Sequence, residues 1–195
     1  MKLILATHNS NKIKEIKILL PENFEIISLK ELNFIEDIEE TENTFHGNAL
    51  LKAKYISESF NANVISDDSG LEVEILNNEP GVFSARYFSE DATDRENVEY
   101  LLKNLLGKEN RKAKFISVIC LILDGKEYFF EGEIIGEIAF EPKGTIGFGY
   151  DSVFIPENSN RTFAEMNIKE KNKYSHRAKA IEKLVDFLVR NLKLD

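Results

Sequence analysis

The run Val64-Ile65-Ser66-Asp67-Asp68-Ser69-Gly70 ends a β-branched apolar stretch in two adjacent carboxylates, a hydroxyl and a glycine. Acids at the mouth of a buried strand hold a hard cation, activate water, or do both. Side chains alternate along an extended chain, so Asp67 and Asp68 face different ways. One can hold metal while the other accepts a proton or braces the first. A polar turn is the competing reading, and an isolated Asp-Asp is ordinary in a turn. Glu39, Glu40 and Glu42 add acids just before a long helical segment. Two or three carboxylate oxygens are what Mg²⁺ takes when phosphates supply its other ligands.

Cations and donors that suit phosphate occur at two helix starts. Lys12 opens one helix beside Thr7, Asn9 and Ser10; Lys171, Lys173, His176 and Arg177 crowd the start of the last. A helix N-terminus carries partial positive charge, so cations gather there favourably when an anion is bound. Thr44, Asn48 and Lys52 form one row bordering the apolar stripe of the long helix, which leans Lys52 inward and Lys54 outward. Lys52 reads either as a lysine snorkelling to water or as a cation aimed at a ligand. Gly144-Thr145-Ile146-Gly147-Phe148-Gly149-Tyr150-Asp151 is neither a P-loop nor a dinucleotide turn. It sets two aromatics and a carboxylate on a glycine-rich loop: Phe148 or Tyr150 for stacking on a base, Asp151 or backbone groups for reading its edge. The alternative is a turn with core aromatics.

Stepping outward, these residues must be positioned by alternating strands and helices. Lys2 to Ala6 reads as a strand. A helix follows with N-cap candidates in Asn9-Ser10-Asn11 and apolar spacing at Ile13, Ile16 and Leu20, up to Pro21. Phe24 to Leu29 is a second strand, and Glu31 to Glu42 an acidic irregular segment. Thr44 to Phe60 is a helix with Phe45, Ala49, Ala53, Ile56 and Phe60 on one stripe. Val64 to Ser66 is a short strand, Leu71 to Leu76 alternates, Asn77-Asn78 and Pro80-Gly81 break the chain, and Asp94 to Leu106 is helical until Gly107. Lys112 to Leu123 and Glu127 to Ile134 flank Asp124-Gly125, a hairpin signal. Asp151 to Ile155 is a short strand. Ser175 to Leu192 is a helix with Ile181, Leu184, Val185, Leu188 and Leu192 on one face. The pattern predicts an α/β class: a mixed twisted sheet with flanking helices, one domain over residues 1–195, in two lobes around a substrate cleft.

The 195 residues are 43% hydrophobic and 30% charged, an ordinary globular balance long enough to bury a core. A net charge of −9 argues against a nucleic-acid polymer or an anionic membrane as partner, but not against a nucleotide held in a local cationic pocket. No apolar run is long enough to span a bilayer, and the N-terminus reads as a strand rather than a signal peptide. The lone Cys120 sits in an apolar run as a core thiol and excludes an intrachain disulfide. Together these features predict a cytoplasmic protein.

Ten motifs in order carry a resemblance that runs from end to end: Thr7 to Lys12, Glu40-Thr41, Asn48-Ala49, Asp67 to Leu71, Pro80-Gly81, Ser84 to Tyr87, Gly147 to Asp151, Ala164 to Met166, Glu170 to Asn172 and Ser175 to Arg177. The chain resembles the inosine triphosphate pyrophosphatase family, the house-cleaning hydrolases of non-canonical purine nucleotides. The resemblance implies a two-lobed fold, usually a homodimer, and Mg²⁺-dependent cleavage of ITP, dITP or XTP to monophosphate and pyrophosphate. It implies that Thr7, His8, Asn9, Ser10, Asn11 and Lys12 cradle phosphates. Glu40 and Asp68 ligate Mg²⁺, Asp68 is also the general base, Asp67 supports the metal's water shell and Lys52 contacts phosphate. Ser69, Phe148, Gly149, Tyr150, Asp151, Lys171, His176 and Arg177 line the nucleotide site, with the aromatic loop and the last three reaching ribose and base. His8 stands where the family often has a small residue, and Gly47 where glutamate is common. Two other readings of the residues are a phosphatase with an aspartyl nucleophile and a nucleotide sensor without turnover.

Overall fold

The computed structural model describes residues 1–192, and of Leu192 the backbone alone, so the last member of the C-terminal stripe lies outside the described residues. A seven-stranded mixed sheet has the order β2-β1-β3-β5-β6-β7, with β4 paired to β3. The strands are β1 (Lys2–Leu5), β2 (Glu25–Ser28), β3 (Val64–Val73), β4 (Glu79–Pro80), β5 (Lys112–Leu123), β6 (Lys126–Ile138) and β7 (Phe154–Pro156). β1 pairs in parallel with β2 and β3, whereas β4 and β7 join antiparallel. The helices are α1 (Ser10–Leu19), α2 (Phe45–Phe60), α3 (Asp94–Asn104), α4 (Ile168–Lys171) and α5 (His176–Leu192). No helix among the described residues is long and apolar enough to cross a membrane.

The chain forms two compact units. Among the described residues the first comprises 1–68, 117–132 and 177–192, the second 69–116 and 133–176. In the first, Leu3, Leu5, Ile65, Ile119 and Leu121 of the sheet pack with Ile16 of α1 and Ile181, Leu184 and Leu188 of α5. The period-3.6 stripe of α5 therefore buries the face its spacing marks out. In the second, Leu71 and Val73 pack with Val98 and Leu101 of α3, Phe115, Phe154 and Phe163.

Local signals set most boundaries. The Thr44 hydroxyl accepts from Gly47 N–H and starts α2. A reciprocal pair, Thr93 and Glu96, caps α3. Asp124 and Gly125 adopt φ of 50° and 76°, the left-handed pair that a tight β5–β6 turn requires.

Strand expectations fail at two places. Residues 151–153 form a turn, and β7 begins only at Phe154. The sequence breaks its strand after Ser66 and resumes at Leu71, yet β3 runs unbroken from Val64 to Val73. The acid pair lies inside a strand, not at its mouth. The polar residues that signal a turn find partners within the fold: the Ser66 hydroxyl donates to Ala49 C=O at 2.6 Å, and Asp67 meets a serine and two cations. Extended backbone is tolerated there because no buried polar group depends on the turn for its hydrogen bonds.

Candidate active site

In the first unit, β1 feeds a loop that leads into α1. The Asn9 Oδ1 accepts the N–H groups of Asn11 at 2.9 Å and Lys12 at 3.1 Å, and Asn9 N–H donates to the Thr7 hydroxyl at 3.1 Å. Thr7 and Asn9 thus shape the turn, and Asn9 occupies two first-turn amides that an anion would otherwise meet. Ser10 and Asn11 begin the helix around this cap. Lys12 reaches across to Asp67, with Nζ 2.9 Å from Oδ2.

Asp67 is fully buried. Its Oδ1 accepts from the Ser117 hydroxyl at 2.5 Å, and its Oδ2 from Arg177 Nη2 at 3.1 Å as well as from Lys12. Arg177 also donates to Glu15, which is itself buried on α1. Burial alone would raise the Asp67 carboxyl, but the charges of Arg177 and Lys12 and the Ser117 bond overcome it and hold Asp67 far below the usual carboxylate range.

Asp68, one residue on, faces other partners. Its Oδ1 lies 3.1 Å from Lys52 Nζ, and the same ammonium stands 2.5 Å from Glu40 Oε1 and 3.1 Å from the Asp67 carbonyl. Lys52 therefore leans inward as the helical row predicts, and Lys54 is exposed. Burial raises the Asp68 carboxyl, Lys52 and Lys12 offset part of this, and Glu40 adds to it. Lys52 itself is kept charged: burial works against the ammonium, but Asp68 and Glu40 outweigh it. The Asp68 Oδ2 is buried with no hydrogen-bond partner.

That bare oxygen decides how well a cation fits. Asp68 and Glu40 are hard oxygen donors brought to one point by Lys52. Among the described residues no cluster of three or more His, Cys, Asp or Glu side chains forms a closed metal cage. Two carboxylates with open positions suit Mg²⁺, which keeps waters and takes phosphate oxygens, and do not suit a structural metal that needs a full protein shell. The residues fit Mg²⁺.

In the second unit, Lys171 follows a helix start whose Asn167 and Glu170 cap one another. Its Nζ lies 2.6 Å from Asp151 Oδ2 and over the rings of Phe148 and Phe163, at 5.0 and 5.5 Å. Asp151 Oδ2 also accepts Phe148 N–H at 3.0 Å, which folds the loop back on itself. Gly147 makes this fold possible: its φ is 90°, and a Cβ there would stand 2.1 Å from Asp151 Oδ2. The Gly149 N–H donates to Asp94 at 2.7 Å. The His176 ring stacks on Phe115 with centroids 4.7 Å apart, and Ser69 continues β3, half-buried.

Two residues expected at the nucleotide are buried with partners inside the fold. Tyr150 is a core residue whose hydroxyl donates to Ser84 C=O at 2.9 Å, and burial pushes its phenol well up. Of the two loop aromatics, Phe148 is the half-buried one. Arg177 is 1% exposed, with its guanidinium on Asp67 and Glu15, where it braces the acid. Lys173 is exposed. His8 turns to the acidic segment, donating from Nε2 to Glu36 C=O at 2.9 Å.

Sequence reasoning missed Glu15, Ser117 and Phe163. Glu15 adjoins Ile16 on the buried side of α1, so an acid beside an apolar helix position was the available signal. Ser117 sits in an unbroken apolar strand, where a lone hydroxyl calls for a partner.

The Ham1 family model matches residues 3–187. The chain is 48% identical to the dITP/XTP pyrophosphatase of Flavobacterium johnsoniae, over 96% of this chain and 98% of that one. It is 46% identical to the enzyme of the same name from Bacillus subtilis, over 95% and 96%. Among solved structures, the Staphylococcus aureus Ham1 protein matches with a TM-score of 0.87 at 40% identity, over 96% of this chain and 98% of that one. A HAM1 protein from Coxiella burnetii matches with a TM-score of 0.89 at 38% identity, over 97% and 99%.

Proposed function

This chain belongs to the Ham1 family, and from that premise we propose that it hydrolyses deaminated purine nucleoside triphosphates, dITP, ITP and XTP, to the monophosphate and pyrophosphate. The observation that carries this reading is the Glu40–Lys52–Asp68 arrangement, a charged lysine between two carboxylates with one carboxylate oxygen left bare.

Cleavage breaks the bridge between the α and β phosphorus atoms, and a water oxygen takes the place of the departing pyrophosphate. Asp68 accepts the water's proton. Its raised affinity for protons matches that task, since a base works best with a pKa near the working pH. Lys52 and Lys12 face negative charge as it gathers on the leaving pyrophosphate. Asp67 holds Lys12 in place, and Arg177 with Ser117 keeps Asp67 ionised. Glu40 and Asp68 would hold Mg²⁺, which when bound neutralises phosphate charge and acidifies a ligated water.

Base choice rests on donors. Inosine and xanthine present an acceptor at position 6, where adenine presents a donor. Lys171 and His176 supply N–H groups that suit a keto oxygen, and an adenine amine facing such a buried donor would leave both unpaired. Phe148 supplies the stacking face. The family reading also carries a homodimer and a cytoplasmic setting.

The test is product analysis with ITP and Mg²⁺. Pyrophosphate is the expected first product; orthophosphate alone overturns the reading, as does tight ITP binding without turnover.

A further inference from the structure

His8 lies in the phosphate loop, yet its ring is committed to the acidic segment between β2 and α2. Nε2 donates to Glu36 C=O at 2.9 Å, and the ring lies parallel to Phe34, 8° off and 6.1 Å between centroids. Phe34 is in turn held edge-on by Tyr55 and Phe60 of α2, at 6.1 and 6.0 Å. The Tyr55 hydroxyl donates to Glu36 Oε2 at 2.9 Å. Residue 36 is thereby fixed from two sides. The other end of the segment is fixed as well: Glu42 N–H donates to Asn48 Oδ1 at 2.9 Å. Gly47 lets the Glu42 side chain lie close, because a Cβ at 47 would stand 2.7 Å from Glu42 Cβ. Glu40 sits between these two anchors with its carboxylate on Lys52.

A carboxylate on an irregular segment has many orientations to lose when it ligates a cation. Anchors on both sides remove most of them beforehand. The Asn48 anchor is on the rigid α2, but the His8 anchor comes from the loop that leads into α1 and Lys12. The position of Glu40 is thus tied to the loop expected to meet phosphate. We infer that His8 is a positioning residue for Glu40, a clip that sets the cation-binding carboxylate in register with the phosphate loop, and not itself a phosphate contact. This inference rests on the proposed Mg²⁺-dependent hydrolysis.

The test compares wild type with His8→Ala and His8→Gln. Hydrogen exchange of the metal-free, nucleotide-free protein is read over residues 34–42. His8→Ala is expected to speed exchange there by roughly tenfold and leave β3 unchanged. The Mg²⁺ concentration giving half-maximal pyrophosphate release should rise roughly tenfold, as for other residues that orient a ligand, while kcat at saturating Mg²⁺ falls much less. His8→Gln keeps an N–H donor and should recover part of both effects. Unchanged exchange with a raised KM for nucleotide overturns the clip and makes His8 a phosphate contact. Exchange is read without turnover, so the two ideas fail separately. A loosened segment in His8→Ala together with a wild type that releases no pyrophosphate sinks the reaction and leaves the clip standing. Normal Mg²⁺ dependence and unchanged exchange in an active variant sink the clip.

Discussion

On one side of β3, Asp67 is enclosed by Ser117, Lys12 and Arg177, and every contact favours its charge. On the other, Asp68 meets one lysine that it shares with Glu40, and one of its oxygens meets nothing. The first surroundings hold a carboxyl below its ordinary range and the second hold one above it. Adjacent residues of the same type are thus sorted into a fixed anion and a carboxyl with raised affinity for protons. The sorting agent is not burial, which is nearly equal for the two, but the neighbours: Asp67 contacts two cations and a hydroxyl, whereas Asp68 shares one contacting lysine with a second carboxylate, Glu40.

Substitutions that treat the pair unequally test this contrast. The largest effect is expected from Asp68→Asn, which should lower kcat roughly 10²–10⁴-fold, the usual worth of a positioned base. Its stability should hold or rise slightly, because a group with a raised folded pKa loses stability as pH climbs through that pKa, and asparagine avoids the loss. A near-normal rate would remove Asp68 as base. Asp67→Ala should act the other way, costing about 3–5 kcal/mol in denaturant unfolding, since buried Arg177 loses one of its two carboxylate partners and half-buried Lys12 loses the carboxylate it reaches. A folded, stable Asp67→Ala that is merely slow would place Asp67 in the chemistry instead.

Smaller changes sharpen the contrast. Lys52→Met removes the main charge that lowers the Asp68 pKa, so the acid limb of kcat/KM should move to higher pH. A limb that stays put would mean Asp68 does not report through that limb. Wild-type stability should show the opposite signature of Asp67. Its depressed pKa gives stability that is present above the ordinary aspartate range and is lost progressively as pH falls below about 4 toward the folded value. The smallest effect is expected from Ser117→Ala, about 1.5–3 kcal/mol for a hydrogen bond to a charged group. It should show in melting temperature and weaken the acid resistance that Asp67 confers.

Much of the site was legible from local pattern. The row Thr44, Asn48, Lys52 fixed the inward lean of Lys52 because helical geometry repeats, and the structure puts Lys52 between Glu40 and Asp68. The hairpin at Asp124-Gly125 was legible because few residues tolerate its left-handed backbone. The surroundings of Tyr150 and Arg177 were not legible, for a shared reason. Their types suit ligand binding, and only the packing around them shows that Tyr150 completes a core and that Arg177 balances two buried acids.

The sequence by itself determined the four longer helices, the hairpin, the mixed α/β class and, through ten ordered motifs, the family; the short α4 was not legible in it. It also determined that Asp67 and Asp68 face opposite ways, because a strand has period two. It could not say which of the two receives the cations. Arg177 lies 110 residues from Asp67 and 162 from Glu15, and Ser117 lies 50 from Asp67. No periodicity links such positions. Tertiary packing alone brought them together, and the electrostatics that divides the pair exists only once they meet.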